Sequence, residues 1–356
     1  MTVPLPKIIE GFSQGYTCGM ESGDFEHAFL CLASCSVYQF AAGHPLDSTV
    51  DETVHTMKLV DQYKVDSVRM MLQHHLRAME DLSGKTDDPL DWTDEETSPP
   101  RRKFTEFSEI CQLHWRYLSR MQVAYYLGEY DLAYRLGEYF RVVKDADTSY
   151  VASTHGAFFR VVSSTAMYRK TSKRRYRVRA LRGLKQMRLK MESTSSINNL
   201  HKFYILEADV NATLRIGKKN YQELYDHAIS TSTKAGFLQD AALANELAGE
   251  HFLSEGDDFW ARHYLTRAYS MYLTWEARAK TKQLLIRYGG LIETDSVLKD
   301  VHASRKSRRE STMSAVAMHH SLETGRSTYD SLSGSLSFEA SSRFSLASHR
   351  HKPIRG

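Results

Sequence analysis

The sequence predicts an all-α protein of antiparallel helix hairpins stacked in a right-handed array, followed by a disordered C-terminal tail. Three observations carry that prediction. Apolar residues recur at three- and four-residue spacing through most of residues 5–300, the period of helices that bury one face. A glycine followed five residues later by an alanine occurs at Gly23–Ala28, Gly128–Ala133 and Gly256–Ala261, which points to a repeated helix-turn-helix unit. Strand signals are weak, because β-branched runs are short and Pro-Gly punctuation is sparse.

The clearest hairpin is Ala241–Trp275, AALANELAGEHFLSEGDDFWARHYLTRAYSMYLTW. Leu243, Leu247 and His251 or Phe252 lay a narrow apolar stripe on its first helix, and Ala241, Ala244 and Ala248 let a neighbour approach closely. Gly256 can take the left-handed conformation that ends a helix, and Asp257 or Asp258 can cap the next one. Ala261, Tyr264, Leu265, Ala268, Met271, Tyr272 and Trp275 repeat the stripe. Neither helix buries its stripe alone, so the hairpin needs neighbours.

Those neighbours follow from the chain in order. Residues Ile8–Glu21 read as a helix ending near Gly23-Asp24, and Phe25, Ala28, Phe29, Leu32 and Val37 stripe the next. Leu46–Leu82 holds two helices, and Ser83–Pro100, rich in Gly, Asp, Thr and Pro, reads as an exposed loop. Phe104–Leu127 is a long helix whose partner begins after Gly128. Val151–Tyr168 and Arg174–Met191 are two more, and Leu200–Phe237 is a hairpin turning at Gly217-Lys218-Lys219. Beyond the repeat domain of residues 5–300, the tail 301–356 has fourteen serines and few aliphatic residues, too little apolar surface to offset the entropy of ordering it.

Hydrophobic content of 42% and charged content of 25% describe a chain able to bury a core. The net charge of +4 implies no partner by itself, and nine Lys/Arg against four Asp/Glu in the tail account for it. Four cysteines, no apolar run of the ~20 residues a membrane span needs, and no leader pattern make a cytoplasmic protein the default, with nuclear as the alternative. Cys31 and Cys35 read as small buried hydrophobes rather than metal ligands. His74-His75 and His319-His320 read as surface pairs, since adjacent helical residues point about 100° apart and do not converge on one ion. Glu52 and His55 lack the second pair a carboxylate-histidine site requires. Trp260, Tyr264, Tyr272 and Trp275 read as core, with Tyr269 or some of these as the alternative lining of a partner groove. No catalytic, cofactor or metal residues are assigned.

The sharpest charge feature runs from Arg169 to Arg179 and on through Arg182, Lys185, Arg188 and Lys190. Arg174, Arg175, Arg177, Arg179 and Arg182 form its candidate basic surface. It reads either as a helix holding phosphates or, preferentially, as a solvated linker helix charged on its exposed face. In the tail, Ser311 after Arg308-Arg309-Glu310 and Ser307 after Arg305-Lys306 are candidate phosphorylation sites.

The hairpins resemble tetratricopeptide-type repeats. More closely, AALANELAGEHFLSEGDDFWARHYLTRAYSMYLTWEARAKTKQLLIRYGGLI is similar to the helical region that follows the AAA-like ATPase domain in multi-sensor serine/threonine kinase–histidine kinase hybrid signalling proteins. The resemblance extends to EGFSQGYTCGMESGDFEHAFLCL, AAGHPL, MLQHHLRAMEDLSGKTDDPLDW and MQVAYYLGEYDLAY, and so covers roughly residues 8–292. The family's Trp-Gly-Ala stands here as Trp275-Glu276-Ala277, and neither a GxxxxGK[ST] loop nor a histidine kinase signature is present. The resemblance therefore implies a non-catalytic interaction or regulatory scaffold with protein partners, kinase or ATPase signalling components among them; the residues themselves point to no membrane and disfavour nucleic acid. One alternative is an incomplete portion of a larger hybrid kinase. Another is a nucleic-acid-associated helical protein using residues 169–190.

Overall fold

A computed structural model describes residues 3–93, 97–99, 107–143, 150–194, 197–217 and 220–299. The tail, with Ser307, Ser311 and His319-His320, lies outside the described residues, as do Lys218-Lys219. Every regular element described is an α-helix. In chain order these are α1 (Leu5–Ser22), α2 (Phe25–Ala42), α3 (Leu46–Tyr63), α4 (Asp66–Ser83), α5 (Phe107–Tyr126), α6 (Tyr130–Val142) and α7 (Tyr150–Thr171). There follow α8 (Arg174–Thr194), α9 (Leu200–Leu214), α10 (Tyr221–Lys234), α11 (Leu238–Ser254), α12 (Asp258–Thr274) and α13 (Arg278–Tyr288). Each helix packs on the next, so the chain is an all-helical packed array.

The turns explain the repeated glycine. Gly23, Gly128 and Gly256 all have left-handed backbones, with φ of 78°, 86° and 78°. The next residue's N–H then bonds back across the helix end, Asp24 to Gly19 O, Glu129 to Ala124 O and Asp257 to Phe252 O, at 2.8–2.9 Å. Asp24 and Asp257 go on to cap the following helices, accepting from the His27 and Trp260 N–H groups. Ala28, Ala133 and Ala261 are fully buried where the paired helices cross. Gly236–Ala241 is a further copy of the same spacing, unread in the sequence, with Phe237 N–H bonded to Ser232 O. The hairpin expected to turn at Gly217 stops earlier: α9 ends at Leu214, and Arg215 takes the left-handed conformation (φ 52°) while Ile216 N–H closes the end on Asn211 O. Gly217 (φ 74°) sits in the link beyond.

Helix α11 is the axis of the fold. The single apolar stripe expected of it is corrected by the structure, because every residue from Gln239 to Glu250 is buried, on all faces. Charged residues are tolerated there because each acid meets a cation from another helix. Asp240 takes Lys202 of α9 and the His201 ring, Glu246 takes Lys280 of α13 at 2.6 Å, and Glu250 takes Arg169 of α7 at 3.3 Å and Arg287 of α13 at 2.8 Å. Burial alone would raise the Asp240 pKa, yet the Lys202 ammonium and the His201 hydrogen bond hold it well below the usual carboxylate range. Tyr272 and Tyr288 donate hydroxyls to Glu246 and Glu250, completing the network.

Around this axis the chain closes on itself. Leu46 N–H bonds to Trp275 O at 3.0 Å, Gln239 Nε2 to Ala41 O at 2.8 Å and Leu5 N–H to Asn198 Oδ1 at 3.1 Å, and α13 packs on α4. Tyr264, Tyr269, Tyr272 and Trp275 are buried core, whereas Trp260, expected in the core, is only partly buried. The surface reading of His74-His75 fails for His75, which is 4% exposed between the Phe40 and Trp115 rings. Cys35 is buried and Cys31 half-buried.

Candidate anion-binding cleft

A cleft of about 550 Å³ lies between α5, α6, α7 and α8. Its existence depends on glycines inside helices rather than at their ends. A Cβ on Gly156 of α7 would come within 2.2 Å of the Phe140 ring of α6, and one on Gly183 of α8 within 2.2 Å of Val161 Cγ2 of α7. Without side chains at those points the three helices approach closely and bring their neighbouring residues around one space. Phe140, Ala157, Val161 and Met187 supply apolar lining, and the His114 ring packs 4.3 Å from Phe140.

The charged lining is lopsided. Among the described residues, Arg141, Arg160, Arg179, Arg182 and Lys190 face it against a single carboxylate, Glu138. Glu138 Oε2 accepts from Arg141 Nε at 3.3 Å and from Arg179 Nη2 at 2.9 Å, which fixes those two guanidinium groups at the rim. Lys190 Nζ donates to Thr154 Oγ1 at 3.1 Å. Arg160 and Arg182 meet no acceptor among the described residues, and the Arg160 Nε is buried without a partner. Burial pulls the Arg160 pKa below its ordinary value, against the pull of Glu138, but a guanidinium stays charged at any physiological pH. Two unneutralised guanidinium groups in a concave, partly apolar space make a strong attractor for anions.

The candidate basic run is split by the fold. Arg169, expected on a solvated face, points inward to Asp209 and Glu250. Arg179 and Arg182 line the cleft, whereas Arg174 and Arg177 are exposed on another part of α8 and Arg175 lies 4.5 Å from the Tyr176 ring. Arg188 pairs with Glu207 at 3.0 Å. Sequence reasoning missed Arg141, Arg160, Glu138 and His114. The signal that could have found them is Gly156 and Gly183, mid-helix glycines with no turn to serve. The turn glycines Gly23, Gly128, Gly217 and Gly256 are structural and take no part in the cleft.

Among the described residues, no group of three or more His, Cys, Asp and Glu could hold a metal ion, and no helix is long and apolar enough to cross a membrane. Fold and cleft together define an all-helical packed array with a cationic cleft. No family model matches the chain, and no curated protein or solved structure matches it either.

Proposed function

We propose that the chain is a non-catalytic protein-interaction and regulatory module that recognises an acidic segment of its partner in the cationic cleft. The observation that carries this reading is the charge surplus there, five cationic side chains around one carboxylate, with Arg160 and Arg182 left without an acceptor among the described residues. The helical-hairpin framework suits the role, since stacked helices hold side chains from several elements at fixed positions around a shared surface. The signalling setting, with kinase or ATPase components as partners, rests on the resemblance of residues 8–292 to the helical region of hybrid signalling kinases. Nucleic acid is the weaker reading. The basic run does not form one continuous surface, and a single cleft offers no track for a ladder of phosphates.

Fluorescence anisotropy with a labelled Asp/Glu-rich peptide tests the reading. Saturable, salt-sensitive binding is expected, and charge reversal at Arg179 and Arg182 together should abolish it while reversal at Arg174 and Arg177 leaves most of it. No saturable binding at about 100 mM salt, where exposed charges are screened beyond ~10 Å, would exclude the cleft as a recognition site for acidic segments.

A further inference from the structure

We infer that the cleft is built for a phosphate monoester carried on an apolar stem, an inference that rests on reading the cleft as an anion site. Four features of the geometry support it. First, positive charge is in surplus: Glu138 engages Arg141 and Arg179 but neutralises only one charge, and Arg160 and Arg182 meet no acceptor among the described residues. A phosphate monoester carries close to two negative charges at neutral pH, whereas a carboxylate carries one. Second, Arg160 and Arg182 are arginines, whose planar forks match phosphate oxygens in paired hydrogen bonds. They come from different helices, α7 and α8, so a ligand with three terminal oxygens can engage both at once.

Third, the Arg160 Nε is buried and lacks an acceptor among the described residues, a desolvated donor that a bound oxygen would satisfy. Its stem is held in place where it crosses α6, because Gly137 leaves room for it: a Cβ there would come within 2.9 Å of Arg160 Cγ. Fourth, Phe140, Ala157, Val161 and Met187 give the cleft an apolar lining that inorganic phosphate would leave unused. A volume near 550 Å³ accommodates a small organic phosphate or one phosphorylated side chain with its neighbours. These two sources share the same chemistry at the cleft.

Isothermal titration of the full chain at about 100 mM salt with phenyl phosphate, benzoate and inorganic phosphate tests the inference. A phosphoserine peptide and its glutamate counterpart extend the series. Phenyl phosphate should bind at one site, at least ~10-fold tighter than benzoate through charge and paired hydrogen bonds, and ~10-fold tighter than inorganic phosphate through the buried ring. Arg182→Gln, at an exposed position, should cost ~10-fold in phenyl phosphate affinity with the fold intact. Arg160→Lys, which keeps the charge and loses the fork, should weaken binding as well.

Tight phosphopeptide binding alongside phenyl phosphate would identify a phosphorylated protein side chain as the source. Phenyl phosphate binding without it would identify a small organic phosphate, and both outcomes support the inference. Benzoate and the glutamate peptide binding as tightly as their phosphate counterparts would overturn it while leaving an acidic-segment site standing. Full phenyl phosphate affinity in Arg182→Gln would overturn it too. Failure of every probe, the Asp/Glu-rich peptide included, would overturn the anion site itself.

Discussion

Replacing His75 with phenylalanine should remove about 2 kcal/mol of the acid sensitivity of folding between pH 7 and 5. His75 lies between the Phe40 and Trp115 rings, at centroid distances of 5.2 and 6.4 Å, and is 4% exposed. Burial lowers its pKa from 6.5 to about 4, opposed only by a backbone hydrogen bond at Ser36. The unfolded chain therefore takes up the proton more readily than the folded one. Stability is fully present above pH 6.5 and is lost as pH falls, down to the folded-state value near 4. Between pH 7 and 5 this single group costs about 2 kcal/mol, obtained from the two pKa values and 1.36 kcal/mol per unit.

Phenylalanine keeps an aromatic ring between the same two neighbours and removes the titration. Urea unfolding at pH 7 and pH 5 should therefore show a smaller loss in His75→Phe, by about 2 kcal/mol. His155 is a second contributor, lowered to about 3 by burial and by Lys202 beside it, with Asp240 pulling the other way. Its share, and that of every carboxyl group, is common to both proteins and cancels in the difference. An identical pH dependence in wild type and variant would refute the assignment of His75 as a buried neutral group.

Three further outcomes follow from the same geometry. Glu138→Gln frees Arg141 and Arg179, so binding of the acidic peptide should tighten by up to about fivefold, the worth of a partly exposed ion pair, as read by anisotropy. Lys280→Met leaves Glu246 charged and buried beside α13, and should cost about 3–5 kcal/mol in urea unfolding, with much of it recovered in Lys280→Met/Glu246→Gln. Gly183→Ala places a Cβ 2.2 Å from Val161 Cγ2 and should lose roughly 1–3 kcal/mol by overpacking even though alanine favours helix, whereas Val161→Ala in the same chain should restore stability.

What could be read from the sequence, and what could not, divides along physical lines. Helices and glycine turns were legible because both leave local marks, the apolar period and a residue free to take positive φ. Lys64, Arg215 and Glu276 take the same left-handed conformation with φ of 56°, 52° and 67°, and a residue with a Cβ there gives no warning. The burial of α11 was illegible for a different reason. Asp240, Glu246 and Glu250 look like solvent-facing residues until Lys202, Lys280 and Arg169, all distant in sequence, are brought against them. The basic run was visible as composition, but its division was not. Whether Arg169, Arg177 or Arg182 faces core, water or cleft depends on how α7 and α8 are rotated, and Gly183 against Val161 helps set that.

Arginine footprinting with phenylglyoxal, read by mass spectrometry with and without phenyl phosphate or the Asp/Glu-rich peptide, tests the cleft as the recognition site most directly. Ligand should protect Arg160 and Arg182 and leave the exposed Arg174 and Arg177 as reactive as before, although all four belong to the same or adjoining helices. Protection confined to Arg174 and Arg177, or spread evenly over α8, would contradict it.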